Sequence, residues 1–320
     1  MEQYKKWIGF CLRVAISIGI LVYLFYRIDW QEVPKSVQGA DYKFIVAALF
    51  ATNMAIVISA LKWHLLCKQT SGVTFWESLR WYYIGFFSSN FLPGSIGGDV
   101  LRIYYSSKKM GVANAAASIT VERVFAGLAL VLTAIIGFLG VRGLGDYVSQ
   151  VWILAGIFVG LYLLLFNRRV IAFMLTRFGK SVRGFYQAIE QYKAQRGVLV
   201  KLLIYSMAFQ VCFVWITDLL YRALGVEVSF TYQLAFVAII SAITMIPISM
   251  NGLGVREGSY SYFFAMIGIA EATSITVSLL FYLIVLISTS PGAIFWLISR
   301  DKRYDATIST SKLSKVQQSL

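Results

Sequence analysis

Two arginines, Arg102 and Arg256, stand out in this 320-residue chain because each closes the same pattern, Pro-x-Ser-x-x-Gly-x-x-x-Arg. The first copy runs Pro93, Ser95, Gly98, Arg102, and the second runs Pro247, Ser249, Gly252, Arg256. Each arginine has an acid at hand: Asp99 precedes Arg102 by one helical turn, and Glu257 follows Arg256 directly. A guanidinium can fork onto a phosphate or carboxylate through two parallel hydrogen bonds. The chemistry these residue types imply is therefore anion recognition, with Asp99 and Glu257 placed to hold the arginines when no ligand is bound. A third acid–base pair, Glu122-Arg123, follows the first motif. The plain alternative is that each arginine only pairs with its own acid or caps a helix.

Both motifs interrupt strongly apolar sequence, and that is what could position such a site. Pro93, Gly94, Gly97 and Gly98 are expected to break the first apolar segment, and Pro247, Gly252, Gly254 and Gly258 the second. Irregular backbone at membrane depth survives only inside protein or along a water-filled cavity. At such a break, half-helix N-termini present N–H groups and a positive dipole end to an anion. The candidate binding set is thus Arg102, Arg256, Asp99, Glu257, Ser95, Ser249, Gly97, Gly98, Gly252, Gly254, Glu122 and Arg123. Asp218 also lies inside an apolar run, with no obvious partner nearby in sequence. Gly252-Leu253-Gly254 is not read as a nucleotide loop, because no βαβ unit surrounds it and no Gly-Lys-Ser/Thr follows. The aromatic run over residues 75–91 reads as interfacial and packing surface.

Composition places these motifs in a bilayer. The chain is 58% hydrophobic and only 14% charged, whereas soluble domains are about 45–50% apolar and about 25% charged. Apolar runs near 7–26, 42–61, 113–141, 151–166, 202–224 and 274–298 read as six spans, the first as a retained anchor with Arg13 reaching the headgroups. Residues 75–107 and 232–270 hold pairs of shorter apolar pieces around the motifs. The net charge of +14 lies in loops and reads as topology signal rather than nucleic-acid contact. Placing the basic links inside closes only if each short pair enters and leaves on one side. The expected fold is an all-α polytopic membrane protein: about six full spans plus two re-entrant helical hairpins in an inverted repeat. The first repeat is 1–141 and the second 142–299, followed by a basic cytoplasmic tail at 300–320. Paired interrupted segments in two halves point to a central binding site. Scattered Cys11, Cys67 and Cys212 and the lone His64, read as interfacial beside Lys62-Trp63, give no metal spacing. No metal and no cofactor are expected, and the polar intervals are too short for a soluble catalytic domain.

Asn90 to Gly94 with Gly97-Gly98-Asp99 and Arg102, then Glu122-Arg123, then Gly252-Leu253-Gly254-Val255-Arg256-Glu257-Gly258, resemble the transmembrane region of lysylphosphatidylglycerol synthases. The resemblance covers nearly the whole chain. That family more usually carries Asp-Arg where this chain has Glu122-Arg123; the acid is kept and only its reach differs. The resemblance implies a stand-alone, flippase-like protein of a prokaryotic cytoplasmic (inner) membrane, both termini inside, without the soluble aminoacyltransferase domain. The implied function is movement of an anionic or phosphate-linked lipid between leaflets, aminoacylated and polyprenyl-linked lipids among the candidates. The alternative is a membrane-embedded transferase acting on a lipid-linked sugar or polyprenyl phosphate, with Asp99 or Glu257 as general base. The expected partner is a membrane phospholipid or lipid-linked substrate, with no nucleic acid; oligomerisation is left open.

Overall fold

The computed structural model describes residues 39–68, 72–90, 96–141, 180–245 and 252–299, with isolated positions 153, 156 and 160. The expected spans at 7–26 and 151–166, Cys11, Arg13, Pro93, Gly94, Ser95, Pro247, Ser249 and the 300–320 tail lie outside the described residues. Among the described residues the chain forms nine α-helices and no strand. They are α1 (Tyr42–Cys67), α2 (Phe75–Ser89), α3 (Ile96–Met110), α4 (Val112–Leu139), α5 (Lys180–Ala194), α6 (Arg196–Ala223), α7 (Phe230–Met245), α8 (Val255–Ala265) and α9 (Glu271–Thr289). The protein is an all-α, multi-pass membrane protein.

Among the described residues four helices are long and apolar enough to cross a bilayer: α1, α4, α6 and the stretch Glu271–Ser299 that begins with α9. Each has 26 to 29 residues, against the roughly 20 needed to cross the hydrocarbon core. Their outward faces carry Phe50, Leu139, Ile204 and Ile294, all well exposed, as lipid-facing positions require. Helix α1 runs six residues beyond the expected end at 61, because Lys62 and Trp63 are buried rather than interfacial. His64 is half-buried, with Nδ1 3.1 Å from Ser78 Oγ.

Helices α1 and α6 pack antiparallel along their lengths. The Asp41 N–H donates to Ala223 O at one end (2.9 Å), and Tyr192, just before α6, donates to Leu66 O at the other (3.3 Å). Helices α2 and α3 have 15 residues each, about 22 Å, too short to cross alone. They pack on one another as a pair whose feet meet at the end where α1 finishes and α4 begins. A capping box starts α2: Thr74 N–H donates to Glu77 Oε2 (3.0 Å) and Glu77 N–H to Thr74 Oγ1 (3.4 Å). Lys109 Nζ, at the close of α3, lies 2.7 Å from Glu77 Oε1 and ties the feet together. Helices α7 and α8, of 16 and 11 residues, hang from the opposite end, between the finish of α6 and the start of α9.

Close helix contact depends on glycines. Gly98 lies inside α3, so the break expected across Gly97 and Gly98 falls earlier: the helix already begins at Ile96. A Cβ on Gly98 would overlap the Gly85 carbonyl oxygen and Ser89 Oγ of α2. Gly292, after Pro291, likewise meets the Tyr83 carbonyl, so the last helical stretch packs on the back of α2. That contact is reinforced by Asn90 Nδ2 donating to Thr289 Oγ1 (2.9 Å), Asn53 Nδ2 to Ser288 Oγ (3.3 Å) and Tyr83 OH to Asn53 Oδ1 (3.2 Å). A double-mutant cycle of Asn90→Ala and Thr289→Val, read by thermal unfolding in detergent, is expected to give a coupling of about 1 kcal/mol. Strict additivity would show that this bond does not hold α2 to the last helix. Amphipathic α5 turns Ala188, Ile189 and Tyr192 inward against Leu66, Val121 and Phe125, covering the end where the α2–α3 feet lie.

Candidate functional site

The first four helices bring their charged residues to one place. Lys62 comes from α1, Tyr82 from α2, Asp99 and Arg102 from α3, and Glu122 and Arg123 from α4. Glu122 is the hub, 3% exposed, and its two oxygens face different cations. Oε1 accepts from Tyr82 OH at 2.9 Å and lies 3.3 Å from Lys62 Nζ. Oε2 is paired with Arg102 Nη2. Arg102 Nη1 also reaches Asp99 Oδ1 (3.1 Å), and Arg123 Nε donates to Asp99 Oδ2 (2.8 Å). The cluster is thus a chain, Lys62–Glu122–Arg102–Asp99–Arg123. Burying an ion costs several kcal/mol unless it is paired and hydrogen-bonded, and every carboxylate oxygen in the chain has a cation against it.

Arg102 is clamped as well as paired. Its guanidinium carbon lies 4.3 Å from the Trp63 ring centre and 4.2 Å from that of Tyr82, a cation–π contact on each ring. Trp63 is in turn fixed by its Nε1–H donating to Ser118 Oγ at 3.1 Å. The stem of Arg102 crosses α2 at Gly85, where a Cβ would stand 2.8 Å from Arg102 Cγ. Gly98 of the first motif and Gly85 of α2 thus let α3 and its arginine approach α2.

The cluster forms one wall of a cavity of about 250 Å³ between α1, α2, α3, α4, α6, α8 and α9. Lys62, Gly98, Asp99, Arg102, Glu122, Arg123 and Arg256 all line it, with Ser59, Asn90 and Thr289 among the neutral polar groups. Phe209, Phe213, Phe281 and Val285 supply the apolar side. A second cavity of about 190 Å³ adjoins it, lined by Leu130, Ile240, Met245, Tyr260 and others. Arg123 and Arg256 line both. The Arg256 guanidinium lies 5.8 and 5.9 Å from the Phe281 and Tyr282 rings. The two repeat arginines therefore reach one cavity although 154 positions separate them in the chain.

Other members of the candidate set sit elsewhere. The Glu257 carboxylate turns to its own helix start, accepting from the Gly254 N–H and from Ser278 Oγ (3.1 Å). Gly254 and Gly252 have φ of +82° and +78°, a region open to glycine, and form the turn that opens α8. Gly252, Gly254, Glu257 and Gly97 are not among the residues lining the cavity. Asp218 has its partners after all: Arg222 Nε at 2.7 Å and Gln233 Nε2 at 2.8 Å. Three members of the cluster, Lys62, Trp63 and Tyr82, were not singled out from sequence, because lysine and aromatics at a span end look like snorkelling and belt residues. The one available signal was that an intramembrane acid such as Glu122 needs a counterion. Among the described residues no group of three His, Cys, Asp or Glu side chains comes together. The chemistry present is a cavity wall rich in cations, with the apolar surface of Phe209, Phe213 and Phe281 shared with the adjoining cavity.

The same arrangement of apolar helices and charged breaks can be placed among known proteins. The chain is 21% identical over 305 residues to UPF0104 membrane protein PH1989 of Pyrococcus horikoshii, covering 84% of this chain and 90% of that one. It is 22% identical over 288 residues to a UPF0104 membrane protein of Archaeoglobus fulgidus, covering 81% and 86%. The family described as the lysylphosphatidylglycerol synthase TM region matches residues 10–292, which span both motifs and helices α1 to α9. The chain belongs to the lysylphosphatidylglycerol synthase transmembrane-region family.

Proposed function

We propose that the protein moves an anionic or phosphate-linked lipid between the leaflets of a prokaryotic cytoplasmic membrane. The observation that carries this reading is the pair of adjoining cavities among apolar helices, with Arg123 and Arg256 lining both. The cation-lined part of the first cavity suits a headgroup, and the apolar residues of the pair, Leu130, Ile240 and Phe281 among them, suit a chain. In this reading α2–α3 and α7–α8 are re-entrant hairpins, the first opening to the cytoplasm and the second to the outside. The two halves then form an inverted repeat around a midplane site, and exchange of exposure between them gives alternating access. The end holding Lys68, Lys108, Lys109, Arg196 and Lys201 is cytoplasmic by its basic charge. Lipid transport is favoured over transferase chemistry because the carboxylates on the cavity wall, Asp99 and Glu122, are both held by guanidinium groups. A general base needs a carboxylate with room to accept a proton.

The test is reconstitution of the full chain in vesicles carrying a fluorescent anionic phospholipid, followed by quenching from outside. Protein should raise the quenchable fraction above the half found in protein-free vesicles. The Arg123→Gln/Arg256→Gln variant should lower the initial rate by a hundredfold or so, since each charged hydrogen-bonding group contributes roughly tenfold or more. Wild-type vesicles that quench no further than empty ones would rule out transport of that lipid class, and an unimpaired variant would remove the cavity from the transport path.

A further inference from the structure

Three hydrogen-bond donors on the wall of the first cavity are left over from the charged chain. Arg102 is 4% exposed, and both its Nη atoms are bonded to carboxylates, but its Nε–H has no hydrogen-bond partner among the described residues. Ser59 is 1% exposed, and its Oγ is equally unpartnered. The Lys62 ammonium carries three N–H groups. Among the described residues it meets one acceptor, Glu122 Oε1 at 3.3 Å, with the Phe209 ring 5.5 Å away. All three residues line the cavity. A buried donor that makes no bond has lost its water without a replacement, which is destabilising. Two such groups on one cavity wall point to a ligand that completes them.

Their placement is compact. Ser59, Lys62 and Trp63 stand at i, i+3 and i+4 of α1 and so share one face of that helix. Arg102 lies over the Trp63 ring, its guanidinium carbon 4.3 Å from the ring centre. The leftover capacity is also of one kind. Glu122 Oε1 already accepts from Tyr82 and faces Lys62, Oε2 holds Arg102, Asp99 Oδ1 holds Arg102 and Oδ2 holds Arg123. A ligand atom seated here has donors to accept from and no free carboxylate to donate to. That suits an oxygen without hydrogen, as on a phosphate, better than a hydroxyl or an ammonium. We infer that Ser59 Oγ–H, Lys62 Nζ and Arg102 Nε–H form the seat for an anionic phosphate oxygen, and that Ser59, a neutral residue outside both motifs, contributes to affinity there. Resting on the reading of the cavities as a lipid site, that oxygen belongs to the phosphate of a lipid headgroup.

The test compares Ser59→Ala with Ser206→Ala in the purified full chain in detergent. Ser206 is a matched control: its Oγ is also buried and unpartnered, but it is not among the residues lining the cavity. Each alanine removes a hydroxyl that bonds to nothing in the protein, so neither should lower the unfolding temperature without lipid. The probes are phosphatidylglycerol, diacylglycerol with matched acyl chains, and inorganic phosphate alone, with binding read by native mass spectrometry and by ligand-induced thermal shift. Phosphatidylglycerol should bind saturably and diacylglycerol should not. Ser59→Ala should weaken phosphatidylglycerol about tenfold, the loss of one hydrogen bond to a charged group, and Ser206→Ala should leave it unchanged. Ser59→Ala binding like the wild type, or both alanines weakening alike, would overturn the seat. Diacylglycerol bound as tightly as phosphatidylglycerol would overturn it too, since no anion would then be required. Inorganic phosphate bound with the same dependence on Ser59, while phosphatidylglycerol is not bound, would keep the seat and sink the lipid reading. Vesicle assays separate the two further: Ser59-dependent binding without movement sinks transport alone, whereas movement with an unchanged Ser59→Ala affinity sinks the seat alone.

Discussion

Glu122→Ala is expected to lower stability by about 3–5 kcal/mol, the range for removing one partner of a buried ion pair. The reason is geometric. Glu122 is the one carboxylate that Lys62 touches in the cluster, and it also holds Arg102 and accepts from Tyr82. Without it Lys62 and Arg102 face each other across a buried space, and Arg102 keeps its proton whatever its surroundings. Thermal unfolding in detergent, with the monodisperse yield from size exclusion, reads the loss. Glu122→Gln should fall between wild type and alanine, because the amide oxygen still accepts a hydrogen bond but brings no charge. Glu122→Asp tests reach: one methylene shorter, the carboxylate should keep one cation and lose the other. An alanine variant as stable as the wild type would mean that the buried cations are solvated through the cavity.

Gly98→Val is the second large effect, for steric reasons. The new Cβ would overlap the Gly85 carbonyl oxygen and Ser89 Oγ, and the obstacle is backbone, so no rotamer change relieves it. Helices α2 and α3 would have to move apart, drawing Arg102 from the Trp63–Tyr82 clamp and from Glu122. Overpacking of this kind costs about 1–3 kcal/mol and sometimes more; with loss of the clamp the upper part of that range is expected. Gly258→Ala provides the contrast. It lies in α8, two residues past the second motif's arginine, and a Cβ there meets nothing within 4 Å. The alanine should therefore be neutral or stabilising by about 0.5–1 kcal/mol through helix propensity. Equal effects at the two positions would show that the glycines serve backbone flexibility rather than close packing.

These contrasts mark how far local sequence reaches. The four described spans were legible to within a few residues because apolar length is a summed property that neighbours do not change. The short paired segments were legible because proline and glycine clusters in the sequence mark the ends of apolar pieces, and α2 ends at Ser89, α3 begins at Ile96 and α7 ends at Met245. The two arginines of the repeat, 154 positions apart, do reach one cavity, since both Arg102 and Arg256 line it. The local partners were harder to read. Asp99 holds Arg102 one turn away as expected, but it also holds Arg123 from the next helix. Glu257, directly next to its arginine in sequence, turns its carboxylate to Gly254 and Ser278. Lys62 stands near a span end, where a lysine can snorkel, and only the arrival of Glu122 from α4 makes its burial tolerable.

By itself, then, the amino-acid sequence determined that this is a membrane protein of apolar helices broken twice at charged, glycine-rich motifs. Hydrophobic length and the backbone limits of proline act over a single turn or a single span. Which acid neutralises which cation, that Trp63 and Tyr82 clamp Arg102, and that Arg123 rather than Arg102 shares the cavity junction with Arg256 were decided by tertiary structure alone. Those pairings depend on the relative depth and rotation of helices that are 20 to 60 positions apart in α1–α4 and farther still for α8. Rotation and depth are set by packing, through contacts such as Gly98 on Gly85 that no single segment contains.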